Sequence, residues 1–464
     1  MTAGLGFFYG GLVRDTSIIN TMMMSIVSMG IVTVTWVFFG FSWAFGDGGA
    51  LVGNFDYALF MNLDMKMWDE SGLPALAFAC FQMTFAIIAS AIISGTWVVC
   101  GFSWAFGDNG AFIGNFDFAF FMDLDMKMWG DSGLPGLVFA SFQMTFAIIA
   151  SAIISGSLVE RMRFSAYAVL LTLWSLLIYA PLCHWAWGPG GWIGEMGAQD
   201  FAGGTVVHIS SGVSGYVAGA IVGPRRHVEK DLGPANAPFV ILGASLLWFG
   251  WLGFNGGSAL GVKDGVAARA VATTLIAAAS SMLTWAVMER LLRGKASSVG
   301  AAVGAVAGLV CITPAAGFVT PGWSIMVGIL GAPWCYMSVA LLNKMNFVDD
   351  TLDAMGLHGM GGIAGAILTG IFSVDGGLIY TGSFTLLGKQ IAGAMAGVAF
   401  SAVGTAIIVL AMRLVMKLRV PEDQEFSGVD EHTHGERFSS ASRGLKKNTA
   451  AEYSSDGDSS DAAC

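Results

Sequence analysis

The chain predicts an all-α polytopic membrane protein. Hydrophobic residues make up 55% of it and charged residues only 12%, and its mean hydropathy of +0.68 lies well outside the soluble globular range. Segment after segment approaches the roughly 20 apolar residues that cross a bilayer as a helix. Basic clusters punctuate these segments in a regular alternation. The 64 glycines suit the class, because small residues let helix backbones approach where no hydrophobic effect drives them together.

Taken in order, the apolar spans lie near 17–45, 134–157, 164–187, 205–223, 236–260, 267–289, 297–318, 323–343, 354–373 and 387–416. Arg14, Arg161 with Arg163, Arg225 with Arg226, Arg290 to Lys295, Lys344, and Lys417 with Arg419 follow alternate spans. By the positive-inside rule all six clusters are cytoplasmic, and so is the C-terminus. Residues 1–13, MTAGLGFFYGGLV, are apolar but reach only about 20 Å as a helix against a hydrocarbon core of about 30 Å. They read as the inner half of a truncated first span. A signal peptide fits poorly, since no basic residue precedes the apolar run.

Residues 35–95 and 96–156 form a tandem near-duplicate, matching at 48 of 61 positions. FSWAFGD recurs at 41 and 102, and FQMTFAIIASAIISG at 81 and 142. Arg14 and Arg161 need an even number of crossings between them, which spans 17–45 and 134–157 already supply. The inserted segment therefore crosses zero or two times, either as a functional insertion or as the trace of two similar coding segments joined in tandem. Residues 1–419 are read as the membrane domain, 420–438 as a C-terminal regulatory segment and 439–464 as a disordered tail. The tail from 420 holds ten acids against four bases, so most of the net charge of −10 sits there and says little about partners. The six cysteines show no metal or redox spacing. No nucleophile, metal cluster or phosphate loop suggests an enzyme or a cofactor, and nothing suggests nucleic acid.

Chemistry concentrates at two histidines. An imidazole inside an apolar span is costly and by default marks a conduction or binding path; of six histidines, only His208 and His358 fall where a pore can use them. His208 lies in DFAGGTVVHISSG (200–212), where Asp200 can cap the following helix and Gly203 and Gly204 permit a tight entry turn. His358 lies in GLHGMGGIAGA (356–366), whose glycines let another helix approach. Two neutral imidazoles can share one hydrogen bond between ring nitrogens. Asp349, Asp350 and Asp353, just before that span, read as a solvated loop in preference to a vestibule lining.

These motifs, with FYGGLVR at 8–14, ERMRFSAY at 160–167, WFGWLGFNGGSAL at 248–260, GLVCITPAAGFV at 308–319 and LRVPEDQE near the C-terminus, resemble the ammonium transporter family (Amt/MEP, related to Rh proteins) over nearly the whole chain. The resemblance implies about eleven spans in two pseudo-symmetric halves, and a homotrimer in the plasma membrane, surrounded by lipid. It implies that Trp187 and Ser258, with Phe146 beside them, recruit ammonium or methylammonium. Phe146 and Phe254 would be a gate, His208 and His358 the pore lining, and Asp200 an organiser of the vestibule. Phe85, in the first copy, is the alternative to Phe146. Pro189 stands where the family has glycine. The resemblance also implies that the segment after Leu418 docks on a neighbouring subunit. Competing readings are an ammonium sensor, a gas channel and a defective product of the same family.

Overall fold

A computed structural model describes residues 1–24 and 96–438, less Asn109, residues 122–123, 125–127, 131–132 and 227–232, Lys263 and Asn346, together with two short strands at Met67–Trp68 and Leu73–Pro74. Helix α1 (Thr2–Leu12) is followed by helical residues 18–24. A π-turn, Trp97–Gly101, leads into α2 (Phe102–Phe106), and α3 is Gly136–Ile154. Next, α4 (Phe164–Trp174) runs through a π-turn, Ser175–Tyr179, into α5 (Ala180–Trp187), and α6 (Trp192–Glu195) is one turn. The π-turn Gly204–Ile209 opens α7 (Ser210–Val222). There follow α8 (Ala237–Gly257), α9 (Val266–Arg293), α10 (Ser298–Ile312) and α11 (Pro321–Met345). The π-turn Met355–Gly359 opens α12 (Met360–Phe372), and α13 (Leu378–Thr381), α14 (Thr385–Val415), α15 (Glu422–Ser427) and α16 (Val429–His434) complete the described elements.

Eight stretches among the described residues are long and apolar enough to cross a membrane. They match eight of the ten expected spans within a few residues, apart from Phe164–Glu195, which carries the third expected span on into the loop and α6. The stretch expected at 297–318 is shorter, with α10 ending at Ile312. Pro314 explains the early stop: its ring clashes with the carbonyl four residues back and it has no N–H to continue the helix. Of the first span, 17–45, only residues up to Met24 are described, and Phe85 lies outside the described residues. Helix α1 is as short as expected and packs on the start of α8: Asn236 N–H donates to the Gly11 carbonyl at 3.0 Å, and the Phe7 and Phe239 rings meet edge to face at 5.3 Å.

The repeat is visible in the backbone. Met67 pairs with Pro74 and Trp68 with Leu73; 61 residues later Met128 pairs with Pro135 and Trp129 with Leu134. The second copy supplies α2 and α3 to the core, where Phe106, Trp129 and Phe139 cluster and Trp129 stacks on Phe139 at 4.4 Å.

Arginines scattered along the sequence gather at one end of the bundle. Glu160 accepts from the Arg14 amide at 2.9 Å and from Arg225 at 2.8 Å, and Arg225 grips Asp349 with Nε and Nη2 at 2.7 and 2.9 Å. Burial opposes ionisation of Glu160, but the guanidiniums of Arg14 and Arg225 outweigh it and hold its carboxyl below the usual range. Fully buried Arg161 donates to the carbonyls of Ser157 and Asp349, both at 2.6 Å. The C-terminal segment docks on the same end of its own chain. Arg163 N–H donates to the Leu418 carbonyl at 2.8 Å, Glu425 takes a bidentate bond from Arg419, and the Asp430 carboxylate accepts from the amides of Ile19 and Asn20 at 2.9 and 2.7 Å.

The equivalence of Thr35 and Thr96 yields a prediction. Excising residues 35–95 joins Val34 to Thr96 and leaves residues 17–34 and 96–106 as one stretch, 18 plus 11 or 29 residues, enough for one tilted span. The shortened chain should purify as a monodisperse species with a thermal midpoint at or above that of the full chain. Aggregation of the deletion variant would contradict this.

Candidate functional site

The two histidines occupy equivalent places. Each sits in the π-turn that opens a span, and each follows an aspartate by eight residues: Asp200 before His208, Asp350 before His358. Asp200 accepts four backbone N–H groups, from Gly203, Gly204, Thr205 and Val206, at 2.9, 2.6, 2.9 and 3.2 Å. Gly203 has φ 110°, a conformation that glycine alone adopts cheaply. Asp350 accepts from Met355 N–H at 2.8 Å and from the Ser157 hydroxyl. Burial pushes both carboxyls up, and the hydrogen bonds they accept oppose that rise. The solvated-loop reading of Asp350 is therefore wrong: it is 5% exposed and caps the His358 turn as Asp200 caps the His208 turn. The shared spacing of eight residues was the signal in the sequence.

These turns bring the rings together. His208 Nδ1 and His358 Nδ1 lie 3.2 Å apart and the ring centroids 5.3 Å apart, with the residues 1% and 3% exposed. Two neutral rings satisfy this contact when one donates from Nδ1 and the other accepts there. His208 Nε2 is buried and has no hydrogen-bond partner among the described residues. The helices can meet because Gly212 faces Gly359: a Cβ on Gly212 would stand 2.3 Å from the Gly359 nitrogen. Trp251, which sequence reading passed over, lies nearly parallel to His208 at 5.4 Å and donates from Nε1 to Thr313 at 2.9 Å. It sits three residues before Phe254, on the same helical face.

Adjoining the histidines, Phe254 lies 6.4 Å from the His208 ring and 4.2 Å from Phe146. Phe146 meets Trp187 edge to face at 5.8 Å and Phe142 at 4.8 Å. Trp187 is fixed by its Nε1–H, which donates to the Asp200 carbonyl at 2.7 Å. The Ser258 hydroxyl donates to the Phe254 carbonyl at 2.9 Å, which commits its proton and leaves its lone pairs to accept. The chain thus connects Trp187, Phe146, Phe254, His208 and His358 ring to ring. Ser258 joins them one helical turn after Phe254, and Asp200 lies behind Trp187 with its carboxylate already saturated. The loop 188–191 begins from a Trp187 held in this way, with Pro189 in its turn.

Asp353 lies near the base of the His358 turn with φ 55° and accepts from Asn343 at 2.9 Å. Burial, with repulsion from Asp350, pushes its carboxyl up to about 7. This value exceeds that of the unfolded chain, so the destabilisation is absent below about pH 4, grows between there and pH 7, and is complete above. Asparagine tolerates positive φ. Asp353→Asn should raise the thermal midpoint at pH 8 by an amount that shrinks towards zero at about pH 4. A midpoint lowered at pH 8, or a gain independent of pH, would contradict the assignment.

Comparison with known proteins gives concordant matches. The profile of the Ammonium Transporter Family matches residues 1–96 and 95–438, two segments that meet at the boundary of the repeat. A protein named ammonium transporter from Bacillus subtilis (strain 168) is 39% identical over 444 residues, covering 94% of each chain. One of the same name from Aquifex aeolicus (strain VF5) is 40% identical over 441 residues, 94% of this chain and 88% of that one. Among solved structures, Mep2 of Saccharomyces cerevisiae matches with a TM-score of 0.66 and 30% identity, covering 91% of this chain and 84% of that one.

Proposed function

The chain belongs to the ammonium transporter family, and from that premise we propose that it conducts ammonium across the plasma membrane as a homotrimer, with the arginine-rich end and the C-terminus in the cytoplasm. The observation that carries the proposal is the Nδ1 to Nδ1 contact of 3.2 Å between two buried imidazoles. Ammonium and a potassium ion are similarly costly to dehydrate, so size alone does not separate them. Loss of a proton does. In this reading Trp187 offers its ring face to the cation, with Phe146 beside it, and Ser258 accepts a hydrogen bond from an ammonium N–H. The cation returns its proton to the water on the outer side of Phe146 and Phe254, whose rings form the gate. Neutral ammonia then passes His208 and His358, where His208 Nε2 offers a polar contact in an otherwise apolar wall.

The arrangement supports this division of labour by its order. Groups suited to a cation, an indole face and a hydroxyl lone pair, lie on one side of the Phe146–Phe254 contact. Groups suited to a neutral molecule lie on the other. Asp200 organises the entrance without touching the substrate. Residues 420–438 act as a regulatory segment that reports through Arg419, Glu425 and Asp430 on the cytoplasmic end, and methylammonium serves as the tracer substrate.

Purified protein in proteoliposomes should take up radiolabelled methylammonium. The double variant His208→Ala with His358→Ala should lose uptake by about fivefold or more, as expected when a polar contact worth about 1 kcal/mol or more is lost from the path. Unchanged uptake in that variant would sink the pore assignment. Specific binding to the unmodified chain without flux would instead favour a sensor.

A further inference from the structure

His184 lies on α5 three residues before Trp187 and is fully buried. Its Nδ1 stands 2.9 Å from the Ala105 carbonyl oxygen and its Nε2 2.6 Å from the Gly110 carbonyl oxygen. A carbonyl has no proton to give, so each nitrogen must donate to be satisfied, and only the imidazolium donates from both. A neutral ring leaves one nitrogen lone pair facing an oxygen lone pair in a site without exposure, which is costly. Ala105 belongs to the last turn of α2, where free carbonyls favour a cation.

The surrounding chain is built around this ring. A Cβ on Gly188 would stand 2.4 Å from His184 Nδ1 and 2.3 Å from the Ala105 oxygen, so the turn after Trp187 closes only with glycine there. Beside the ring, Trp185 Nε1–H donates to the Phe112 carbonyl at 2.9 Å. The loop at 110–112 and the end of α2 are thus fastened to the helix that ends in Trp187. The titratable groups on the surrounding elements are Cys100 before α2, Asp108 in the loop, Tyr179 and Cys183 on the segment through α5, Glu195 on α6 and Asp200. Among the described residues none of these hydrogen-bonds the ring, so the two carbonyls set its demand for protons.

We infer that His184 is a positioning residue for the outer aromatic site: through both ring nitrogens it clamps the Gly110 loop and the end of α2 to the Trp187 turn. The inference rests on the reading of Trp187 as a substrate contact. The test is the apparent KM and kcat for methylammonium in proteoliposomes, for wild type, for His184→Gln, which keeps one donor group, and for His184→Phe, which keeps none. KM should rise by about two- to tenfold in His184→Phe, as expected for lost hydrogen bonds, and by less in His184→Gln, while kcat holds. A KM equal to that of wild type in folded His184→Phe, or a loss confined to kcat, would overturn the clamp. Hydrogen exchange of the backbone over residues 110–114 in wild type and His184→Gln supplies a readout independent of flux: exchange should quicken in the variant, and unchanged exchange would overturn the clamp. If exchange quickens while wild-type protein takes up nothing, the transport reading fails and the clamp stands.

Discussion

The site depends on a contact that has no side chain in it. The spans that carry His208 and His358 meet at Gly212 and Gly359, and their separation there leaves no room for a methyl group on Gly212. The glycines fix how closely the helices approach, and the approach fixes the 3.2 Å between the ring nitrogens. Van der Waals packing of small residues is the main attraction available between helices in lipid. The same feature that lets these spans associate therefore places the two imidazoles. Asp200 and Asp350 then set the start of each span by holding the first amides of the turns.

A second constraint acts at the arginine-rich end. Glu160 and Asp349 are each held by two arginines, and those arginines come from before 18–24, after α3 and after α7. A buried charge without a partner is strongly destabilising, so the set is mutually dependent. Removing one member leaves others uncompensated. The network also fixes α3, and with it Phe146, whose ring lies between Trp187 and Phe254. The geometry of the aromatic contact is thus anchored at the far end of the helix that supplies it.

Much of this was legible in the sequence because the bilayer enforces it. Long apolar runs must be helices, since no water is present to satisfy the backbone, and the two imidazoles stood out because their burial is costly. Phe146, from the second copy, lies on the helix that leads directly into ERMRF, and it meets Phe254 and Trp187. Other features could not be read from one strand of text. The stacking of Trp251 on His208 and the carbonyls around His184 join residues tens of positions apart with no charge pattern to reveal them. The burial of Asp350 was misjudged because three acids in five residues resemble a solvated loop. Only the register shared with Asp200 distinguishes it.

The central claim is that the glycine contact holds the two imidazoles in conducting register, and methylammonium uptake by Gly212→Ala in proteoliposomes tests it most directly. A methyl group there must push the Gly359 backbone away, an overpacking that costs about 1–3 kcal/mol and shifts the rings apart. The account predicts folded protein with uptake reduced by about tenfold or more. Folded Gly212→Ala protein with wild-type uptake would contradict it.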